Sequence, residues 1–436
     1  MSLSVSASFQ KSLSSLAADE SPILAVRICP PPQSAGTRRP YHLVLLIDAS
    51  GSMDGERITA VKRTLHLLVD AMMDDDRLSL IKYESIATTP VSAVSITAET
   101  RPTLHAAVDT LYASGGTNME AAIQQLHSLP SPAADAVFLL TDGHVNQGIA
   151  SSTGLLRLLA AAVPAGTPVN TLGFGAEHNS RMLRDMSVRS RGSYTYADAA
   201  ELLPAIIGDI MGGLSSEFGR NAALSIPAGW ECMEYGAEAA ASYGIGTLIC
   251  EKPQWAVLKG PVGTTTPPDI ALTWTTEARE ERQVVVIGDT IPAVEITEQY
   301  LRAKVATTFA QITELLEAYR PDEAKTVLET LGRDLDGSAA HARPFVLQLR
   351  AQVDEMLESV AVLLAPPPAF HGGLARAGHM LGPPPLGPML SRLASNTTTL
   401  GVQRGYLSQE DPNTNVFSSP GQRHTSRAIS ANYSQA

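Results

Sequence analysis

His42-Leu43-Val44-Leu45-Leu46-Ile47-Asp48-Ala49-Ser50-Gly51-Ser52 joins two patterns that decide the fold between them. The first six residues are a continuous apolar run, the pattern of a strand buried on both faces. The run ends on a carboxylate followed by two hydroxyls at alternate positions, with Gly51 free to take a tight bend. Beyond this loop, Ile58, Val61, Leu65, Leu68 and Met72 step by three and four, which marks one apolar face of a helix.

The same alternation continues downstream. Leu78–Tyr83, Pro90–Ile96, Ala136–Leu140, Val169–Phe174 and Ser193–Tyr196 read as strands. Thr100–Tyr112, Asn118–Leu126, Gly154–Val163, Asn179–Val188 and Ala199–Met211 read as helices. Strands and helices alternating at this spacing predict an α/β unit over 40–212, with a doubly wound, mostly parallel sheet covered on both faces.

The pattern changes after that unit. Segments 222–226, 230–235, 245–250, 254–259, 269–275 and 283–288 read as strands separated by Gly and Pro, which predicts an antiparallel β-domain over 213–295. Ile23–Cys29 reads as a strand in an N-terminal arm (1–39) and has no partner near it in sequence. It is expected to join the β-domain, so that the α/β unit is inserted in, or followed by, one β-sandwich. Helical stripes (Leu301, Val305, Phe309, Ile312, Leu316, Tyr319; then Ala324, Val327, Leu328, Leu331; then Leu349, Val353, Met356, Val360) predict a helical hairpin or three-helix unit over 296–365. Residues 366–436 are rich in Pro, Gly and Ser and read as an extended tail, within which 402–420 carries Tyr406 and Phe417.

Composition bounds the function. The chain has 436 residues, 44% of them hydrophobic, enough for two or three domains with real cores. A formal net charge of -12 disfavours nucleic acid and anionic membranes as partners. Three scattered cysteines (Cys29, Cys232, Cys250) form neither a disulfide scaffold nor a zinc ribbon and fit a reducing, cytoplasmic setting. The first residues lack the basic start and apolar run of a secretion signal, and no stretch approaches the ~20 apolar residues of a membrane span.

Two further oxygen-bearing turns accompany the opening motif. Gly115-Gly116-Thr117-Asn118 leads into a helix, and Thr141-Asp142-Gly143 ends the buried strand 136–140. Ligands of open α/β sheets bind outside the carboxyl ends of strands. If strands 42–47 and 136–140 are neighbours, Asp142 falls beside Asp48. Carboxylates, hydroxyls and water suit a hard, octahedral cation such as Mg²⁺ or Mn²⁺, and the lack of His and Cys argues against zinc. Taken alone, D-x-S-x-S reads as a solvated turn or helix cap and T-D-G as a turn; the conjunction, in this order and strand context, carries the signal.

That order resembles the von Willebrand factor A domain with its metal-ion-dependent adhesion site, over about 40–212, and every member of the motif set is present. The resemblance implies a Rossmann-like sheet. It also implies direct coordination by Ser50, Ser52 and Thr117, and coordination by Asp48 and Asp142 directly or through water. A remaining coordination position would be filled by an Asp or Glu carboxylate of a protein partner. The wider layout is similar to intracellular A-domain proteins, including plant RING-finger/A-domain ubiquitin ligases and proteins joining a U-box, an A-domain and a Hint module. Ile206 to Leu214 is similar to the exit segment of those proteins. This chain has no RING cysteine set and no Hint cysteine motif, so neither ligase nor splicing activity is expected. The expected role is an intracellular, metal-dependent protein-binding module. The alternative is a scaffold or adaptor subunit of a ubiquitin-ligase or ATPase assembly with a vestigial metal site.

Other features read more plainly. Asp74-Asp75-Asp76 lacks EF-hand spacing and is expected to be a solvated turn. Glu280, Glu281 and Arg282 read as solvated charge in a hairpin loop. His144 reads as a loop histidine, and Asn146 and Gln147 as residues that shape a partner surface. Enzyme readings find little support: there is no Walker A loop, no G-x-S-x-G elbow, and no second Asp two residues after Asp48 for aspartyl-phosphate chemistry.

Overall fold

The computed structural model describes residues 3–33, 40–129, 134–164, 167–175, 178–190, 192–197, 202–233, 242–276, 279–364 and Leu390. At its centre is β3 (His42–Asp48), buried at every position. Its parallel neighbours are β4 (Arg77–Tyr83) on one side and β6 (Ala136–Thr141) on the other. The sheet continues outward from β6 through β7 (Val169–Phe174) to β8 (Tyr194–Ala197), and from β4 to β5 (Ala87–Ser95), which is antiparallel.

The alternating side chains of β3 explain why Leu43–Ile47 is apolar throughout. Leu43, Leu45 and Ile47 enter one core, with Val61, Leu65 and Leu68 of α1 (Glu56–Ala71), Leu104 of α2 (Arg101–Asp109) and Ile206 of α6 (Leu203–Ser215). Val44 and Leu46 enter the other, with Ile123 of α3 (Met119–His127), Leu155 of α4 (Ser152–Ala162) and Leu183 of α5 (Ser180–Arg189). Each such side chain contributes roughly 1.5–3 kcal/mol of burial, so a polar residue on either face would be costly.

A second layer system lies beside this unit. One sheet runs β10-β12-β2-β1-β15 and the other β11-β9-β13-β14. These strands are β1 (Ser4–Phe9), β2 (Ile23–Cys29), β9 (Glu217–Ser225), β10 (Glu231–Cys232), β11 (Ser242–Ile249), β12 (Gln254–Lys259), β13 (Ala271–Thr275), β14 (Glu280–Val284) and β15 (Val286–Ile287). Leu24, Val26 and Ile28 face Leu224, Leu248 and Leu272 across the shared core. Ile23–Cys29 thus sits inside a sheet, paired with both β1 and β12. The pairs are antiparallel except β1 with β15. The α/β unit runs from β3 to α6, between β2 and β9 of this sandwich. Helices α7 (Ala293–Glu317), α8 (Pro321–Asp336) and α9 (Pro344–Leu364) enclose a third core around Val305, Phe309, Leu328 and Val353. Among the described residues no helix is long and apolar enough to cross a membrane.

Several expectations require correction. The N-terminal arm supplies two strands, not one. The expected strand 283–288 is two strands in different sheets, with buried Val285 at the crossing between β14 and β15. Glu280, Glu281 and Arg282 belong to β14, where pairing with Thr275, Trp274 and Thr273 of β13, in that order, imposes the strand on a charged edge. Of the strand expected at 230–235, Glu231–Cys232 is a strand, and 234–235 lie outside the described residues. Of the tail 366–436, only Leu390 lies among the described residues, packed on the helical core; the segment 402–420 lies outside them.

Asp76 also departs from expectation. It is fully buried, not solvated, and its carboxylate accepts from the Tyr41 N–H at 3.1 Å and the Met73 N–H at 2.9 Å. It therefore ties the end of α1 to the start of β3. Asp74 is exposed, with only a 3.4 Å contact to Arg101. Removing the Asp76 acceptor orphans two amides at about 1–3 kcal/mol each, whereas an exposed pair is worth at most about 1 kcal/mol. Chemical denaturation is expected to show Asp76→Ala destabilised by several kcal/mol and Asp74→Ala nearly unchanged. Equal effects of the two substitutions would contradict this assignment.

Candidate metal centre

The sheet order places a topological switch point at β3. From β3 the chain leaves to β4 on one side, and later returns to β6 on the other. Loops at the carboxyl ends of two such strands diverge and leave a crevice between them. Ile47 pairs with Leu140, so Asp48 and Thr141 come next on adjacent strands. Thr141 Oγ1 donates to Asp48 Oδ2 at 2.6 Å, and the Ser50 N–H donates to Asp48 Oδ1 at 2.9 Å. Both carboxylate oxygens of Asp48 are thus held in place. Asp48 is fully buried, and that burial pushes its carboxyl above the usual range; the hydrogen bonds from Thr141 and Ser50 oppose the shift, and nearby Asp142 adds to it.

The hydroxyls follow from the turn after Asp48. Gly51–Met53 forms one turn of tight helix, which brings Ser50 Oγ to 3.1 Å from Ser52 Oγ. Ser52 Oγ in turn donates to Asp142 Oδ1 at 2.6 Å. This loop is pinned to the Gly115 turn by backbone bonds, Gly51 N–H to Gly115 O at 3.1 Å and Ser114 N–H to Ala49 O at 2.8 Å. Gly115 has φ +67°, and a Cβ there would lie 2.0 Å from Glu84 Oε2, so the turn requires glycine. Thr117 leaves this turn buried, just ahead of the Asn118 side chain that caps α3 by accepting from the Ala121 N–H at 3.1 Å.

Gly143 shows how the third loop closes on the others. A Cβ on it would sit 3.5 Å from Ser52 Oγ and 3.9 Å from Thr117 Oγ1. The bare glycine leaves a small space bordered by two hydroxyls and by the Asp142 carboxylate. Asp48, Ser50, Ser52, Thr117 and Asp142 therefore converge from three loops separated by up to 94 positions in sequence, as their numbers show. Among the described residues no group of three or more His, Cys, Asp or Glu is placed to hold a metal. The donor set at the switch point is instead hydroxyl and carboxylate oxygen, and this set together with the space over Gly143 fits a small hard cation.

Sequence reading missed three contributors. Arg57 Nη1 donates to Asp142 Oδ2 at 2.5 Å and to Ser52 O at 3.2 Å, with its guanidinium carbon 5.9 Å from the centre of the Phe174 ring. In the sequence Thr141 is legible only as part of a turn. Asn146, expected to shape a partner surface, instead accepts at Oδ1 from the Thr117 N–H at 2.8 Å, and its own N–H donates to Thr117 O at 3.2 Å. It brackets Thr117 from both sides. His144 is exposed in the same loop.

Comparison with known proteins agrees with the fold. A sequence profile of the von Willebrand factor type A domain matches residues 41–196. An uncharacterised protein of Synechocystis is 31% identical over 165 residues, which are 37% of this chain and 38% of that protein; the match spans well under half of the relative's length. A von Willebrand factor type A structure from Catenulispora acidiphila has a TM-score of 0.61 at 15% identity, covering 83% of this chain and 89% of that one. The structure of the ArnB paralog VWA2 from Sulfolobus acidocaldarius has a TM-score of 0.55 at 17% identity, covering 93% and 99%. These two likenesses extend past the α/β unit, so the fold is shared well beyond the matched segment. Residues 41–196 of this chain match the von Willebrand factor type A domain and have its fold, carried on an antiparallel β-sandwich and followed by C-terminal helices.

Proposed function

We propose that this chain is a metal-dependent protein-binding module. Asp48, Ser50, Ser52, Thr117 and Asp142 hold one Mg²⁺ or Mn²⁺, and a partner's Asp or Glu carboxylate completes its coordination. The observation that carries this reading is the 2.6 Å contact from Ser52 Oγ to Asp142 Oδ1 beside Thr117, which gathers hydroxyls and carboxylate from separate loops around one point. Two carboxylates, one already paired with Arg57, leave a divalent ion only partly neutralised, and a partner carboxylate makes up the deficit. The reading is of binding rather than catalysis: Asp48 is buried with both oxygens engaged, so it is not presented as a nucleophile. Cys29, Cys232 and Cys250 form no disulfide with one another, which favours an intracellular setting.

A second reading also has an observation behind it. The Arg57 guanidinium at 2.5 Å from Asp142 already supplies a positive charge where the ion would, as expected of an adaptor with a vestigial metal site. Partners captured from extract and released by EDTA favour the first reading. Partners that stay bound favour the second.

Calorimetry tests the metal itself. Wild type is expected to bind one Mn²⁺, and Thr117→Ala to bind at least tenfold more weakly. Asn146→Ala, which frees Thr117 without removing a ligand, is expected to weaken binding by roughly tenfold. Equal affinities in all three would overturn the assignment.

Asp48 gives a stability test. Its folded-state carboxyl is raised above the unfolded value of 3.8, so the metal-free fold is penalised for holding it charged. The penalty is absent below the unfolded value and is fully present once pH has risen through the folded one. Asp48→Asn is therefore expected to raise the melting temperature of the metal-free protein at neutral pH, and to abolish stabilisation by added Mn²⁺. A lower melting temperature in the metal-free protein would contradict the burial argument.

A further inference from the structure

Away from the oxygen site, α1 and α2 carry the same four-residue step: His66 with Asp70 on α1, and His105 with Asp109 on α2. The partners cross between the helices. His66 Nε2 lies 3.0 Å from Asp109 Oδ1, and His105 Nε2 lies 3.0 Å from Asp70 Oδ1. A carboxylate only accepts, so each Nε2 carries the hydrogen. That assignment leaves the two Nδ1 atoms, which lie 2.7 Å apart.

The rings meet end-on. Their planes differ by 26° and their centroids are 5.0 Å apart, which is the N–N contact plus about one ring radius at each end. In the neutral tautomers fixed by the carboxylates, two lone pairs then point at each other. Such a contact is repulsive unless an electrophile lies between the nitrogens. A proton is one such electrophile and a metal ion is the other.

We propose that this pair is a second metal site, for a borderline divalent ion of the Zn²⁺ or Cu²⁺ class. His66 Nδ1 and His105 Nδ1 are its two protein ligands, and water fills the remaining positions. Asp70 and Asp109 act as the acceptors that lock both tautomers, an arrangement common behind liganding histidines. Imidazole nitrogen suits these ions, whereas the hydroxyl and carboxylate set at the switch point suits Mg²⁺ or Mn²⁺, so the two sites select different metals. Tetrahedral bonds of ~2.0–2.1 Å put two nitrogens about 3.3 Å apart with their lone pairs converging on the ion, so the rings part by roughly half an ångström and each turns by about 35° from the end-on contact. With His66 and His105 side chains 31% and 28% exposed, that movement meets little resistance.

The neighbouring cations are committed elsewhere. Lys62 Nζ donates to the Asp109 backbone carbonyl at 3.0 Å. Arg101 donates to the backbone carbonyls of Val69, Asp70 and Met72 and contacts the Asp74 carboxylate. An ion held here links α1, which follows the Ser50–Ser52 loop, to α2, which precedes the Gly115 turn.

One equivalent of Cu²⁺ is added to the full chain in excess Mg²⁺, and its paramagnetic resonance spectrum is recorded. Hyperfine structure from two nitrogens is expected in wild type and lost in His66→Gln/His105→Gln, and Zn²⁺ should displace the wild-type signal. Calorimetry with Zn²⁺ is expected to give at least tenfold weaker binding in the double variant, whose melting temperature without metal stays close to wild type because both side chains are partly exposed. The oxygen site has no nitrogen ligand and cannot produce this signal, so the result is independent of the function proposed above. Identical nitrogen hyperfine in the double variant, or no Zn²⁺ uptake by wild type, would overturn the proposal and leave a shared proton to account for the contact.

Discussion

The register between β3 and β6 is the constraint on which the functional end of this molecule depends. With Ile47 opposite Leu140, Asp48 and Thr141 emerge side by side and the hydroxyl of one reaches the carboxylate of the other at 2.6 Å. A slip of one residue would exchange the two faces of β3, sending Leu43, Leu45 and Ile47 toward the helices that now receive Val44 and Leu46. The apolar packing on both faces therefore fixes the register. The register fixes Asp48, and Asp48 fixes the turn that carries Ser50 and Ser52. In this chain the core and the candidate site are one energetic problem.

Much of this was legible beforehand, for identifiable reasons. β3 and β6 are short apolar runs because both faces are covered, and α1 and α3 show the stripe of a helix with one buried face. The oxygen residues sit next to these strong signals, so sequence order alone pointed to their meeting. What escaped reading depends on partners distant in sequence. Ser4–Phe9 is small and polar at alternate positions and becomes a strand by pairing with β2. Glu280–Val284 carries charge at the positions where apolar alternation would appear, and is a strand because β13 lies beside it. Asp76 looked like part of a solvated acidic run, yet the amides that it caps belong to Tyr41 and Met73. Arg57 was one basic residue among many in the sequence until Asp142, 85 positions away, came within 2.5 Å. The His66–His105 contact joins two helices in the same way.

Charge organises the site as strongly as packing does. Asp48 is buried, raised in its affinity for a proton, and stabilised as an anion by two donors. Asp142 is equally buried but paired with Arg57, whose side chain is 38% exposed. One carboxylate thus lacks a full countercharge, while the other is paired with a partly exposed guanidinium. A divalent ion would answer the first need and loosen the second pair, bringing metal uptake and the exposed face of Arg57 into the same event.

The account rests on an ion at the junction of β3 and β6, and diffraction tests that claim most directly. Crystals grown with Mn²⁺ and measured for anomalous scattering are predicted to show one strong peak about 2.0–2.3 Å from Ser50 Oγ and Ser52 Oγ, with Thr117 Oγ1 and the Asp48 and Asp142 carboxylates around it. No peak between those loops at millimolar Mn²⁺, with Arg57 still closed on Asp142, would contradict it.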